Sequence, residues 1–512
     1  MKLATKREMN QLDQDAMSQY GIPSLLLMEH AAYGIFCYLM EEHQGKSVTI
    51  LCGPGNNGGD GLALARILYS FKKVQVQVVL LMEEEKLSSD GKVYYTICEK
   101  LGIPIYRYLE ERELVWELIE EAQVLVDAIF GTGLTRPITG SFYKVIEKVN
   151  ASSAFKVSVD IPSGIHPDTA DVLGIAVEAD CTLTFQLPKV GQFLYPGIAH
   201  RGTLRVVDIG IPKELVSKMS CMHYTIDEDM AKGMLPDRPI RSNKGTYGKV
   251  LMIGGQVGMG GAICLASKAV MQVGAGLVTI AVPNALALLT QQKVTEAITL
   301  SLPERDGHLD ETAATILKEH MMQYSTIGIG PGISRSGMIQ KIMEVVLESN
   351  KPIVVDADGL YVLKPYLNQL KARKDPIIIT PHPGEMSYLS GESIADILAH
   401  PVESARSFSE RYGIIVVLKI ERMIVAVPDG SIYINSRGHS AIAKGGAGDV
   451  LTGFITGLLA QNKQPVSAAL LGCYLHADTA CSLARLKGSY SVLPSDLIEH
   501  VGEGFKGLEN KH

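Results

Sequence analysis

The feature that most constrains this chain is a repeated pattern: a short, continuously apolar run ends in a glycine or proline turn, and helical periodicity follows. In the first half the runs are VTILCG (48–53), VQVQVVLL (74–81), VLVDAIFG (124–131), KVSVDIPSG (156–164) and TLTFQLP (182–188). In the second half they include KVLMIGG (249–255), LVTIAVP (277–283), TIGIGPG (326–332), PIVVDADG (352–359), PIIITPHPGE (376–385) and IIVVLK (414–419). Strands apolar on both faces and separated by helices belong to parallel sheets covered on both sides. The fold class is therefore α/β, and 512 residues are enough for two such units. The stretch from 208 to 248 is polar, methionine-rich and punctuated by proline, without strong period. It predicts a boundary near 215–235, with domains at 1–215 and 225–512 and the second sheet starting at Lys249. The halves share no repeat, so two different folds are joined.

Composition removes several function classes. The net charge is −7, whereas nucleic acids and anionic membranes demand a basic face. The N-terminus MKLATKREMNQLDQD turns polar at once and has no signal-peptide core. No apolar run approaches the roughly 20 residues that span a bilayer. Eight scattered cysteines without a CxxC pair read as reduced thiols. A cytoplasmic protein with neither nucleic-acid nor membrane partner is expected. The 50 glycines, about 10% of the chain against a usual 7% or so, mark either tight turns or ligand loops.

The first such loop is GPGNNGGDG (53–61), with LALARILYSF expected to begin the helix. Free backbone N–H groups and the helix dipole make that junction an anion or nucleotide site, although it is neither GxGxxG nor a GK[ST] loop. Asn56, Asn57 and Asp60 put three polar side chains at one strand end. Asp127 and Asp160 close two further strands, followed by GTGLTRP (131–137) and by Pro162, Ser163 and Gly164. Ligand sites in open α/β sheets lie at the carboxyl ends of strands, where all these segments can meet. Asn57, Asp127 and Ser163 offer oxygen donors suited to a hard cation, and Asp160 could move a proton.

GPGNNGGDG, VDAIFGTGL and VDIPSG resemble the NAD(P)H-hydrate epimerase domain over about residues 10–212. The resemblance implies a Rossmann-like, three-layer fold that binds the hydrated nicotinamide cofactor and interconverts its R and S epimers at C6. The implied contacts come from Asn56, Asn57, Gly58, Gly59 and Asp60. A second set comes from Gly131, Thr132, Gly133, Leu134, Thr135, Arg136 and Pro137, with Asp160 as proton-transfer residue. Potassium would be held by Asn57, Asp127 and Ser163. MEHAA (28–32) departs from the family, which usually has asparagine in place of His30.

In the second half the strongest signal is AKGGAGDVLTGFITGLLA (443–460), where small residues lead into an apolar helix. N–H groups of Gly446, Ala447 and Gly448 would form an anion hole for a phosphoryl group, and Asp449 could take a proton from an attacking hydroxyl. A capped helix start explains Asp449 alone, but not four small residues before it. GGQVGMGGA (254–262), GIGPGI (328–333), VDADGL (355–360), TPHPGEM (380–386) and Lys419 lie at other strand ends.

In that order these motifs resemble the ribokinase-like superfamily, and within it the ADP/ATP-dependent NAD(P)H-hydrate dehydratases, over 235–510. By similarity Ala262, Gly332, His382 and Asp449 would contact the hydrate, and Lys419, Ile420, Glu421, Arg422, Met423 and Gly448 the nucleotide. Asp449 would activate the hydrate's hydroxyl toward the terminal phosphoryl group of ADP or ATP. Magnesium would neutralise the phosphates, with Glu385 a possible outer-shell contact. VLKIE and SRGHSA depart from family patterns at Ile420, often glycine, and at His439, often asparagine. The expectation is a bifunctional repair enzyme acting on NADH hydrate and NADPH hydrate, working as a homo-oligomer. Two alternatives stand beside it: a kinase of a small hydroxylated metabolite with a fused ligand-binding domain, and a nucleotide-binding sensor.

Overall fold

The computed structural model describes residues 1–71, 74–462 and 464–509, and forms two compact units, Lys2–His223 and Tyr224–His512, the latter together with Met1. The first unit runs past residue 215 because Leu215 is buried in its core.

The first unit is a seven-stranded parallel sheet. Its strands are β1 (Val48–Cys52), β2 (Val76–Leu80), β3 (Ile105–Arg107), β4 (Val124–Ala128), β5 (Phe155–Val159), β6 (Cys181–Phe185) and β7 (Thr203–Val207), in spatial order β3-β2-β1-β4-β5-β6-β7. Continuous apolar strands feed two cores, because successive side chains point to opposite faces. Ile50, Cys52, Val78 and Val126 pack with helices Ser24–Glu42 and Asn56–Ser70 on one face. Leu51, Val79 and Leu125 pack on the other with helices Arg112–Glu120 and Gly140–Ala151. This is the expected three-layer, Rossmann-like arrangement. The pattern of apolar runs misses β3 and β7, which are the edge strands. Neither has a fully buried run of residues, so neither carries the continuous apolar signature.

In the second unit β8 (Lys249–Ile253), β9 (Leu277–Pro283), β10 (Ile298–Leu302), β11 (Thr326–Ile329), β12 (Ile353–Val355), β13 (Ile377–Ile379) and β14 (Ile415–Leu418) are parallel. The antiparallel strands β15 (Ile424–Ala426) and β16 (Ile432–Asn435) extend them, giving the order β10-β9-β8-β11-β12-β13-β14-β15-β16. Register sets the strand exits side by side: Ile253 lies opposite Ile329, Ile329 opposite Val355, and Val355 opposite Ile379. The turns after β8, β11, β12 and β13 therefore share one edge of the sheet.

Helices Gly260–Gln272 and Ala447–Asn462 pack tightly against each other, and each begins at a glycine turn on that edge. Close approach needs missing side chains. A Cβ on Gly453 would fall 2.3 Å from the Ala266 carbonyl oxygen and 2.5 Å from Ala269 Cβ. Alanine inside a helix gains roughly 0.5–1 kcal/mol over glycine. Overpacking against backbone costs about 1–3 kcal/mol, so the clash wins. Gly453→Ala should lower the unfolding free energy of this unit by about 1–2 kcal/mol in denaturant titrations; a stabilised variant would show that the two helices are free to separate.

Candidate functional sites

In the first unit, the exits of β1 and β4 are clamped together by glycines. A Cβ on Gly53 would sit 2.0 Å from the Ile129 carbonyl oxygen, and one on Gly58 1.9 Å from the Gly53 carbonyl oxygen. Gly55 turns the chain at φ 86°, and the helix starts at Asn56 and not at Leu62. Gly58, Gly59 and Gly61 sit within that helix because packing against Gly53, Met28 and Ala128 leaves no room for a side chain. The expected ligand loop is thus the first two turns of a helix.

Above this edge lies a cavity of about 1230 Å³. Asn56, Asn57, Asp60, Asp160 and the whole segment Gly131–Pro137 line it, whereas Gly58 and Gly59 lie beneath its wall. His30 does not line it. Its Nδ1–H donates to the Ile209 carbonyl oxygen at 2.9 Å.

Asp160 adopts a left-handed backbone, φ 64°, which a residue with a side chain holds only when its surroundings over-determine it. Here its N–H donates to Leu183 O at 2.8 Å, and its carbonyl accepts from Gln192 Nε2 at 2.7 Å. The twist delivers the carboxylate to the cavity. Its Oδ1 forms an ion pair with Lys189 and accepts from Thr184 Oγ1 and the Phe185 N–H, each at 3.2 Å. Lys189, only 1% exposed, also donates to Thr184 Oγ1 at 3.0 Å and to Phe185 O at 3.3 Å. Sequence reasoning missed this lysine, although it follows directly on TLTFQLP at the same sheet edge. Asp60 is buried, and burial, followed by the charges of Asp160 and Asp13, pushes its carboxyl well above the usual range.

Asp127 lies below the cavity, almost wholly buried. Its carboxylate accepts from Ser163 Oγ, from the Ser163 N–H at 2.9 Å, from Ser158 Oγ at 2.8 Å and from the Ile129 N–H at 3.3 Å. Burial outweighs these bonds and raises its pKa. Ser163 Oγ accepts from the Phe130 N–H at 2.8 Å, and Asn57 Oδ1 sits beside Gly131 while its Nδ2 is buried without a partner. Asn57, Asp127 and Ser163 therefore converge on the segment 129–131.

In the second unit the cluster centres on Lys419. It lies past the end of β14, where Val416 is opposite Ile379, so it projects over the exits of β12 and β13. Its Nζ bonds Asp356 Oδ1 at 2.6 Å and stands 3.8 Å from Glu385 Oε2. Asp356 Oδ2 accepts from Thr452 Oγ1 at 2.6 Å, tying the strand exit to the helix that begins at Ala447. Burial pulls the Lys419 pKa down, but Asp356, Glu385 and Asp449 outweigh it and hold the ammonium above its ordinary value. Gly448 places its α-carbon against this group: a Cβ there would be 3.3 Å from Lys419 Nζ. Asp449 is pushed up to about 7 by burial and by the charge of Asp356, against the opposing pull of Lys419. Beneath the loop, buried His476 lies 2.9 Å from the Ala447 carbonyl oxygen through Nε2.

His382 caps helix Pro383–Ser390. Its Nδ1 accepts from the Gly384 N–H at 3.0 Å and from the Glu385 N–H at 3.3 Å, which leaves Nε2 carrying the proton. Glu385 returns the bond to the His382 N–H at 2.8 Å, so the carboxylate expected near a metal is engaged in a capping box beside Lys419. Gly332, at φ 64°, abuts Ala262: its Cβ would lie 3.6 Å from Ala262 Cβ and 2.8 Å from Met259 O.

Within 419–423 the picture is mixed. Met423 is a core side chain, 6% exposed, so any ligand meets only its backbone. The Arg422 guanidinium donates to the Ser436 carbonyl, and the Ile420 N–H to Leu418 O at 3.2 Å. The backbone carbonyl of Glu421 packs on Gly438. At the second departure, His439 Nδ1 accepts from the Ala441 N–H at 3.1 Å. An imidazole thus performs there the capping that an asparagine amide oxygen would. Asp356 and Thr452 are the residues whose role sequence reasoning left open; the strand-end carboxylate in VDADGL was the signal for the first.

A family model described as NAD(P)H-hydrate dehydratase matches residues 250–502, and one described as YjeF-related protein N-terminus matches 24–191. A bifunctional NAD(P)H-hydrate repair enzyme from Moorella thermoacetica is 38% identical over 519 aligned positions, covering 100% of this chain and 98% of the relative. One of the same name from Thermofilum pendens is 34% identical, covering 99% and 97%. Among solved structures, a ribokinase-like superfamily protein from Enterococcus faecalis aligns with a TM-score of 0.50 at 25% identity, covering 56% of this chain and 96% of that one.

The Lys419 pair yields a direct test. Lys419→Met would leave Asp356 buried with no ammonium beside it, and breaking a buried pair from one side costs about 3–5 kcal/mol. Denaturant unfolding of this variant should show a loss of that order; a loss below about 1 kcal/mol would mean that Asp356 does not depend on Lys419.

Proposed function

The chain belongs to the family of bifunctional NAD(P)H-hydrate repair enzymes, and from that membership we infer how its two clusters divide the work. The first unit interconverts the R and S hydrates of NADH and NADPH; the second dehydrates the S form with ADP or ATP and returns NAD(P)H. Neither a kinase of a small hydroxylated metabolite nor a sensor accounts for a full-length likeness to two-activity enzymes. The reading takes the working form to be a homo-oligomer in the cytoplasm.

The observation that carries the dehydratase assignment is Asp449, a carboxyl poised near 7 at the start of a helix whose first N–H groups face the same edge as Lys419. In this reading Asp449 takes the proton of the C6 hydroxyl as its oxygen attacks the terminal phosphoryl group. Gly446, Ala447 and Gly448 receive the developing charge, and Lys419, with Ile420–Met423, steadies the nucleotide's phosphates. Ala262, Gly332 and His382 hold the hydrate. The C6–O bond then breaks, the ring nitrogen supplies electrons, phosphate departs, and C5 loses a proton to give the dihydropyridine. Magnesium carried by the nucleotide supplies charge neutralisation.

In the first unit, Asn56, Asn57, Asp60 and Gly131–Pro137 hold the hydrate while Asp160 exchanges a proton with its C6 hydroxyl, and Gly58 and Gly59 support that wall from beneath. Asn57, Asp127 and Ser163 fit a potassium ion. All three offer oxygen, and Asp127 is buried with hydrogen bonds but no ion pair among the described residues. A bound cation supplies that missing positive charge.

Racemic NADH hydrate supplied with ADP or ATP should regain the absorbance of reduced nicotinamide completely, and with neither nucleotide should not. No recovery with either would reject the dehydratase reading. A base must be unprotonated, so kcat/KM for the S hydrate should rise with pH through about 7 and level off above it. Asp449→Asn should lower the rate by about 10²–10⁴-fold while the chain stays folded. Asp160→Asn should leave the R hydrate behind once the uncatalysed rate is subtracted.

Potassium binding predicts stability as well. At 100 times its dissociation constant an ion that binds only the folded state adds about 2.7 kcal/mol. Potassium chloride should therefore raise the melting midpoint of the first unit above that in tetramethylammonium chloride of equal ionic strength, and Asp127→Asn should abolish the difference. Equal midpoints for the parent protein would refute the site.

A further inference from the structure

We propose that Asp13 is the second proton-transfer residue of the epimerase site, serving the ring nitrogen of the hydrate while Asp160 serves the hydroxyl. The inference rests on the epimerase reading above and deepens it.

The C6 centre of the hydrate bears a hydroxyl and the ring nitrogen, and inverting it by ring opening moves two protons. The hydroxyl proton passes to Asp160 as C6=O forms; the C6–N1 pair collapses onto nitrogen, which takes a proton from the Asp13 carboxyl. Rotation about C5–C6 presents the other carbonyl face. Closure then returns the nitrogen's proton to Asp13 and the Asp160 proton to oxygen. Nothing is consumed.

Asp160 has room for only one of these tasks. Its Oδ1 is saturated by Lys189, Thr184 Oγ1 and the Phe185 N–H, and one oxygen remains for the substrate. Lys189 cannot serve the nitrogen. An ammonium has three donors, and here they meet Asp160, Thr184 Oγ1 and Phe185 O.

Asp13 stands on helix Lys6–Tyr20, whose face carrying Met9, Asp13 and Met17 lines the cavity that Asp160 faces from the exit of β5. Among the described residues no hydrogen bond or ion pair restrains the Asp13 side chain, so its carboxyl is available to a ligand. Burial lifts it to about 6, with Lys189 pulling it down and Asp160 pushing it up. The charged groups facing the same cavity from the other elements are Asp60, Lys86, Asp90, Arg136, Asp160 and Lys189. Asp60, on helix Asn56–Ser70, is the more deeply buried of the two, whereas Asp13 keeps a partly exposed carboxyl toward the cavity.

The full-length protein, loaded with potassium, is given purified R hydrate, and epimerisation is followed with the uncatalysed rate subtracted. Because the acid must be protonated, kcat/KM should fall as pH rises through about 6. Asp13→Asn should cut kcat by about 10²–10⁴-fold with KM little changed and erase that limb. Asp13→Glu should restore part of the rate and the limb, and it replaces Asp13→Asn as the decisive variant if the amide does not fold. Parent-like kcat in Asp13→Asn overturns the proposal, and so does a slow variant that keeps the limb, or its disappearance in Asp60→Asn instead. Asp160→Asn separates the two claims. If it is inactive while Asp13→Asn is normal, only the role of Asp13 falls; if both are normal, the epimerase reading itself fails.

Discussion

A lysine buried against an aspartate at the end of a parallel strand is the interaction on which both sites depend. Lys189 with Asp160 and Lys419 with Asp356 occur in units of different topology, and in each pair both partners are largely withdrawn from water. Unit charges 4 Å apart interact by about 4 kcal/mol at an effective dielectric near 20, several-fold more than in water. That strength lets one ammonium govern several carboxyls at once. Lys419 acts on Asp356, Glu385 and Asp449, and Lys189 acts on Asp160, Asp13 and Asp60. Removing either lysine would do more than lose a contact; it would raise the pKa of Asp449 and Glu385 in one unit and of Asp13 and Asp60 in the other.

Glycine serves two distinct purposes at these strand ends. Gly53, Gly58, Gly61, Gly453 and Gly457 are places where a Cβ would strike backbone or a packed side chain, so their task is to bring strand exits and helices together. Gly55, Gly133, Gly258, Gly261 and Gly445 would meet nothing within 4 Å and face open space. Only the second group gives a ligand access to backbone. The first group makes that access possible by fixing where the helices start, since a helix displaced by even a methyl group would no longer aim its N–H groups at the same point.

The parallel sheets and the strand-end residues were legible in the sequence because both follow from local pattern. Continuous apolar runs announce buried strands, and an aspartate directly after one announces the edge where Asp127, Asp160 and Asp356 stand. The edge strands β3 and β7 were illegible because partial exposure breaks the apolar run. The helix start at Asn56 was missed because glycine disfavours helix locally, and the tertiary packing that overrides it is invisible in a single sequence. Lys189 follows a recognised strand, yet nothing in LPKVG says that its ammonium turns inward. Asp13 was the least visible. It sits in an N-terminal stretch whose polarity offers no sign of a pocket, and only the fold turns its helix face toward the cavity.

The two units tune their working carboxyls by the same opposition of forces. Full exposure would leave both Asp449 and Asp13 ionised at neutral pH, and burial is what lifts them out of the ordinary carboxylate range. In each case burial is the largest cause, a neighbouring carboxylate adds to it, and the lysine subtracts, with the outcome about 7 for Asp449 and about 6 for Asp13. Their required states are opposite: Asp449 works as a base, and Asp13 enters ring opening as an acid. Dehydration therefore weakens as pH drops below about 7 and epimerisation as it climbs above about 6, so each step runs below its maximum between those values. The dehydratase consumes one epimer and stalls unless the other is converted, so a change of pH that favours one step slows the supply or the use of its shared substrate.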